Sequence, residues 1–141
     1  MLLKDILATK GTAVLTIQDT ASLSDVVQEL VKHNIGSLIV CAGETMVGII
    51  TERDILKAVA QADIDLLRTP VRERMSVHLI TAAPDDEVET VMGLMTQRRF
   101  RHLPVLENGK LAGMISIGDL VKAHHALMAI ENQQLRTYIQ S

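Results

Sequence analysis

The sequence predicts an α+β fold made of two pseudo-symmetric strand–helix–strand–strand–helix repeats that pack through their small sheets. Three observations carry this expectation. First, the chain matches itself without a gap when shifted by 65 residues: Thr16 falls on Thr81, Leu38 on Leu103, Val40 on Val105, Gly48 on Gly113, Ile50 on Ile115 and Asp54 on Asp119. Second, each copy alternates short apolar runs with one stretch of helical periodicity. Third, one copy cannot cover both faces of a small sheet, whereas two packed together can.

The elements follow in order. Each copy opens with a short extended piece, Val14 to Ile17 or Leu79 to Ala82. Ser22 or Asp85 then supplies an N-cap candidate. In the first copy Leu23, Val26, Val27, Leu30 and Val31 recur at helical spacing, and in the second Val88, Val91, Met92 and Met95 do so. A short apolar strand comes next, Ser37 to Val40 or His102 to Leu106, and then a polar turn. In the second copy that turn holds Asn108-Gly109, a strong hairpin signal. A second strand runs from Met46 to Thr51 or Leu111 to Ser116, and a final helix is expected to begin near Asp54 or Asp119. The domains are accordingly expected as residues 1–68 for the first repeat with its N-terminal segment, 69–126 for the second, and 127–141 as a helical extension. Leu120, Leu127, Ile130, Leu135 and Tyr138 give the last helix an apolar side. Two readings of that side are open, a dimer contact or a helix folded back on its own module.

Composition excludes several function classes. Of 141 residues 48% are hydrophobic and 22% charged, enough apolar content for a core and too little charge for disorder. Phe100 and Tyr138 are the only aromatic residues, so neither a base-stacking platform nor an aromatic cage can be built. The net charge of -3 gives no attraction to nucleic acid or to anionic membranes. The single Cys41 cannot form an intramolecular disulfide and is expected to be buried and inert. No basic segment precedes a long apolar one at the N-terminus, so the chain reads as cytoplasmic. His124 and His125 are adjacent on a helix and point apart, so no metal site is expected.

The most informative segment closes each copy. It reads Gly48-Ile49-Ile50-Thr51-Glu52-Arg53-Asp54 in the first and Gly113-Met114-Ile115-Ser116-Ile117-Gly118-Asp119 in the second. Both place a hydroxyl at a strand end and a carboxylate at a helix start. This pattern, met twice in register, resembles the CBS domain, a family of paired ligand-binding modules. Arg101-His102-Leu103-Pro104-Val105 and the positions of Thr16 and Thr81 resemble it too, so the likeness runs from about Lys4 to Ala126.

The resemblance implies that Ser116 and Asp119 hold one adenine nucleotide, with Thr81, Arg101, His102 and Pro104 nearby. Thr51, Asp54, Thr16, Ser37 and Ile39 form the matching set for a pseudo-symmetric second site. The chemistry is suitable. A carboxylate's two acceptor oxygens fit a ribose diol, while a hydroxyl and free helix-start N–H groups fit a phosphate. Copy two is the better formed, with Gly118 and the Arg-His-Leu-Pro segment. Two readings stay open for the aspartates, ligand contacts or simple helix caps, and two for Arg53 and Arg101, phosphate contacts or solvated cations. Arg98 and Arg99 are read as a helix end favoured by the dipole.

The expected function is therefore a non-catalytic regulatory module that binds AMP, ATP or an NAD-like adenine nucleotide between its repeats and signals to a partner protein. The alternative is a ligand-free dimerisation or docking scaffold. No general base is paired with a nucleophile, so no enzyme is expected. The expected partners are the nucleotide as regulatory ligand, a second copy in a homodimer and an unidentified regulated protein; no cofactor, nucleic acid or membrane is expected.

Overall fold

A computed structural model of the chain describes residues 1–77 and 80–140. They form two compact units, one spanning Val14–Ile80 and the other combining Met1–Ala13 with the chain from Thr81 onward. The α+β class and the two repeats expected from the sequence are present.

The first unit contains β1 (Thr16–Gln18), α2 (Leu23–His33), β2 (Ser37–Ala42), β3 (Thr45–Thr51) and α3 (Glu52–Val59), followed by a 3-10 turn at Val71–Glu73. β2 is the middle strand, parallel to β1 and antiparallel to β3. Ser22 caps α2, its side chain accepting from the Asp25 N–H, as its hydroxyl and position suggest. The helix stops at Asn34, whose left-handed φ of 51° suits an asparagine. Leu23, Val26 and Leu30 line one face of α2 and are buried with Leu38, Val40, Ile50, Ile55 and Ala58. Alternate residues of β2 and β3 thus serve the core.

The second unit repeats this plan with α4 (Val88–Arg98), β4 (His102–Glu107), β5 (Lys110–Ser116) and α5 (Ile117–Gln140). Its β4–β5 ladder keeps the register of β2–β3: Val40 faces Gly48 as Val105 faces Gly113, and an irregularity follows Val40 and Val105 alike. Asn108 and Gly109 both take positive φ, 52° and 78°, as a tight primed turn requires. Arg99 ends α4 with φ 59°, in agreement with its reading as a helix end.

Two expectations need correction. The strand expected from Leu79 to Ala82 is reduced to one parallel bridge, Ala82 to Val105 (Leu79 itself lies outside the described residues). The cause is proline. In the first unit the Ile39 N–H donates to Leu15 O and the Asp19 N–H to Cys41 O. The corresponding positions are Pro104 and Pro84, which have no N–H to give. Among the described residues the two central bonds remain, Ala82 N–H to Pro104 O at 2.9 Å and Leu106 N–H to Ala82 O at 2.8 Å. Second, Asp85 does not cap α4. The N-cap is Glu87, which offers no side-chain bond, and the N–H of Val88 is satisfied by Met1 O at 3.0 Å. α3 and α5 do begin near their aspartates, two residues before each.

That link from Met1 to Val88 belongs to an exchange that the sequence boundary at 68/69 does not describe. Residues 1–7 and 69–75 are equivalent segments, 68 residues apart, and each docks where the 65-residue shift would not put it. In the first unit the Val71 N–H donates to Ala21 O and the Leu23 N–H to Thr69 O. In the second the Leu3 N–H donates to Asp86 O and the Val88 N–H to Met1 O. Leu3 and Val71, both fully buried, close the two cores. The N-terminal segment forms a further helix, α1 (Leu3–Lys10), which buries Leu3, Ile6 and Leu7.

The paired glycines of the closing motif make this docking possible. A Cβ on Gly48 would lie 2.8 Å from the Ser76 carbonyl oxygen and 2.7 Å from the Met75 sulfur, and one on Gly113 would lie 2.7 Å from a methyl of Leu7. Gly48→Ala is expected to lower stability by about 2 kcal/mol, because the backbone of Ser76 is paired to Ile49 and cannot move aside. Gly113→Ala should cost less, since Leu7 can rotate away. Thermal unfolding of the two variants tests the order; equal losses would show that the close approach at Ser76 is not what excludes a side chain.

Candidate functional site

The end of each hairpin and the first turn of the following helix form a shared construction. Ser37 faces Thr51 across β2–β3, and His102 faces Ser116 across β4–β5. Main-chain bonds join the strand entry to the helix start: Glu52 N–H to Gly36 O at 3.0 Å, and Ile117 N–H to Arg101 O at 2.9 Å. Thr51 is the N-cap of α3 and Asp54 its third residue. The Asp54 N–H donates to Thr51 Oγ1 at 3.3 Å, while the Thr51 N–H and hydroxyl donate to Asp54 Oδ2 at 2.9 and 3.0 Å. Ser116 and Asp119 repeat this reciprocal cap at 2.9 and 3.0 Å. The aspartates therefore stabilise a helix start, and the alternative reading as capping residues describes a real role. Each stands at the third residue of its helix. Each cap uses Oδ2; among the described residues nothing donates to Oδ1 of either aspartate.

The other candidates distribute around these caps. In the first unit Thr16 pairs with Ile39, and Ile39 is two residues from Ser37, so Thr16, Ile39, Ser37 and Thr51 share one face of the sheet. Ile39 is fully buried and Ser37 is 8% exposed, whereas Thr16 is exposed. Arg53 is exposed in the first turn of α3. In the second unit Pro104 is buried in β4, His102 is half-buried and Arg101 is exposed. Thr81 is exposed beside the Ala82 bridge. The structure thus joins Ser116, His102, Asp119 and the Arg101 backbone in one corner. Thr81 stands outside any ladder.

Sequence reading missed one residue of this corner. Lys10, the last residue of α1, sends its ammonium to Asp119 Oδ2 at 2.6 Å and to Met114 O at 2.8 Å. The pair is only partly shielded, with side-chain exposures of 39% for Lys10 and 24% for Asp119. Partial burial pushes the Asp119 carboxyl up, but Lys10 together with the amide and hydroxyl of Ser116 outweighs it and leaves the group below its ordinary value. Nothing in the local motif announces a lysine 109 residues away. The only hint is the basic residue at the end of an amphipathic N-terminal stretch.

Cys41 is buried, and burial pushes its thiol up, away from a reactive thiolate. Among the described residues no group of His, Cys, Asp and Glu is arranged to hold a metal, and no helix is long and apolar enough to cross a membrane.

The comparisons with known proteins agree with the duplicated corner. The family model for the CBS domain matches residues 3–61 and again 71–126. The chain belongs to the CBS domain family. As a CBS domain pair it is a regulatory module. A CBS-domain containing protein from Agrobacterium tumefaciens is similar in structure at 40% identity and a TM-score of 0.82, covering 88% of this chain and 99% of that one. A mitochondrial CBS domain-containing protein of Arabidopsis thaliana is 36% identical over 98% of this chain and 71% of its own length. Another CBS domain pair, 29% identical with a TM-score of 0.76 over 89% of this chain and 97% of that one, was solved with 5′-methylthioadenosine and S-adenosyl-L-methionine.

Because the Asp119 carboxyl lies below its ordinary 3.8, its contribution to stability is complete above that value and is lost as pH falls through the lower folded value. The stability gap between wild type and Asp119→Asn, measured by denaturant unfolding, should therefore be present at neutral pH and close in acid below about pH 4. A gap that persists unchanged to pH 2 would contradict the ion-paired carboxylate.

Proposed function

We propose that this CBS domain pair is a non-catalytic sensor of an adenine nucleotide (AMP, ATP, NAD or a related adenosyl compound), with the Ser116–Asp119 corner as its principal site. The observation that carries this reading is the free Oδ1 of a half-buried, ionised Asp119 beside the open Gly118. A ribose hydroxyl can donate to that oxygen without breaking the cap, and a Cβ at Gly118 would meet only the Ser116 hydroxyl at 3.6 Å, so a ligand has room to approach. The related CBS domain pair that holds two adenosyl compounds supports the ligand class. Thr51 and Asp54 supply the same atoms for a second site, with Arg53 available to a phosphate. No cofactor is required in this reading, and the cytoplasm is the compartment that suits it.

Output would pass through a second copy or a separate protein. The distal half of α5 supports this part of the proposal: Met128, Ile130, Leu135 and Ile139 are all exposed, as a contact with another chain requires. The same surface favours the second reading, a scaffold that docks without a ligand. Leu135→Glu is expected to shift a homodimer to monomer in light scattering; an unchanged mass would move the contact elsewhere.

Calorimetric titration with AMP, ATP, NAD and S-adenosylmethionine decides between sensor and scaffold. One adenine compound should bind, and Asp119→Asn, which keeps the acceptor for Ser116, should weaken it by roughly ten- to a hundredfold. No heat from protein freed of co-purified ligand would favour the scaffold.

A further inference from the structure

We propose that Lys10 makes the second-repeat site selective for adenosine ligands that carry an anionic phosphate. The inference rests on the sensor reading above and assigns its ligand class. Without Lys10, Asp119 would present a bare negative charge to any phosphate at this corner. Lys10 cancels that charge at 2.6 Å and is held in place by a second bond to Met114 O. An ammonium has three N–H donors. Two are committed, and among the described residues the third has no acceptor. The side chain is 39% exposed, so an incoming anion can reach it. The acceptors divide in the same way: Oδ2 is taken by the Ser116 N–H and by Lys10, and Oδ1 is left for a sugar hydroxyl. One fixed pair thus offers an acceptor for the ribose and a donor for the phosphate.

The first repeat lacks this arrangement. Asp54 Oδ2 receives the Thr51 hydroxyl where Asp119 Oδ2 receives an ammonium, and no described cation pairs with Asp54. The two corners share a motif but differ in charge, because Lys10 comes from outside the motif. A lysine in the last turn of a helix also favours the helix dipole. That role requires neither the reach to Met114 O nor the contact with Asp119.

The test is an amide NMR titration of the full chain with AMP and, separately, with adenosine, read at Ser116 and Gly118 so that only the second repeat reports. In wild type AMP should bind more tightly than adenosine. Lys10→Met should weaken AMP by about tenfold and change adenosine by less than about twofold. Lys10→Arg, which keeps the charge, should retain the preference for AMP. Equal losses for AMP and adenosine in Lys10→Met, or a Lys10→Arg that behaves like it, would overturn the selectivity role and leave Lys10 a packing or positioning residue. If neither compound moves these amides in wild type, the nucleotide site fails and this inference with it; unaltered AMP binding in Lys10→Met defeats the inference alone.

Discussion

The close approach of a leading segment to a glycine on the last strand of each unit is the constraint from which the rest follows. At Gly48 the visitor is the backbone of Ser76, and at Gly113 it is Leu7 of α1. Each visitor brings one fully buried side chain, Val71 or Leu3, into the core beneath. Each also satisfies the first N–H of a helix in the unit it enters, Leu23 of α2 or Val88 of α4, which no side-chain cap reaches. Core closure, helix start and strand placement therefore depend on one docking event per unit. The hydroxyl and carboxylate of the corner stand three and six residues beyond the glycine, so the same event sets their position.

Sharing a plan does not make the corners equivalent. The cap geometry is repeated to within a few tenths of an ångström, because it is dictated by a local motif and by helix-start stereochemistry. What differs arrives from elsewhere. A lysine reaches Asp119 only because α1 docks on the second unit, and two prolines thin the strand pairing beside Thr81. Duplication has supplied two similar frames, and neighbouring segments give each its own charge and rigidity.

Much of the plan could be read from the residues alone. The 65-residue shift aligns Thr51 with Ser116 and Asp54 with Asp119, and the Asn108-Gly109 turn and the Ser22 cap lie where their chemistry suggests. What escaped did so for specific reasons. The leading segments repeat at 68 residues rather than 65, so α1 falls out of the main alignment and Lys10 with it. The thin pairing at Ala82 depends on what Pro104 and Pro84 fail to donate to their neighbours, a property of pairs that apolar periodicity does not register. The aspartates look like caps or ligands, and a carboxylate at the third helical position with one oxygen spare is compatible with both.

The exchange of leading segments also orders events during synthesis. The unit spanning Val14–Ile80 is contiguous, so all of its residues have left the ribosome while the other unit is still being made. α1 is synthesised before the strands of its own unit and must wait for β5 and for Asp119 before its contacts exist. Its apolar face, Leu3, Ile6 and Leu7, stays uncovered through that interval, and the long chain separation makes its docking a late, slow step. A helix made ahead of the first unit is thus seated only after that unit is complete.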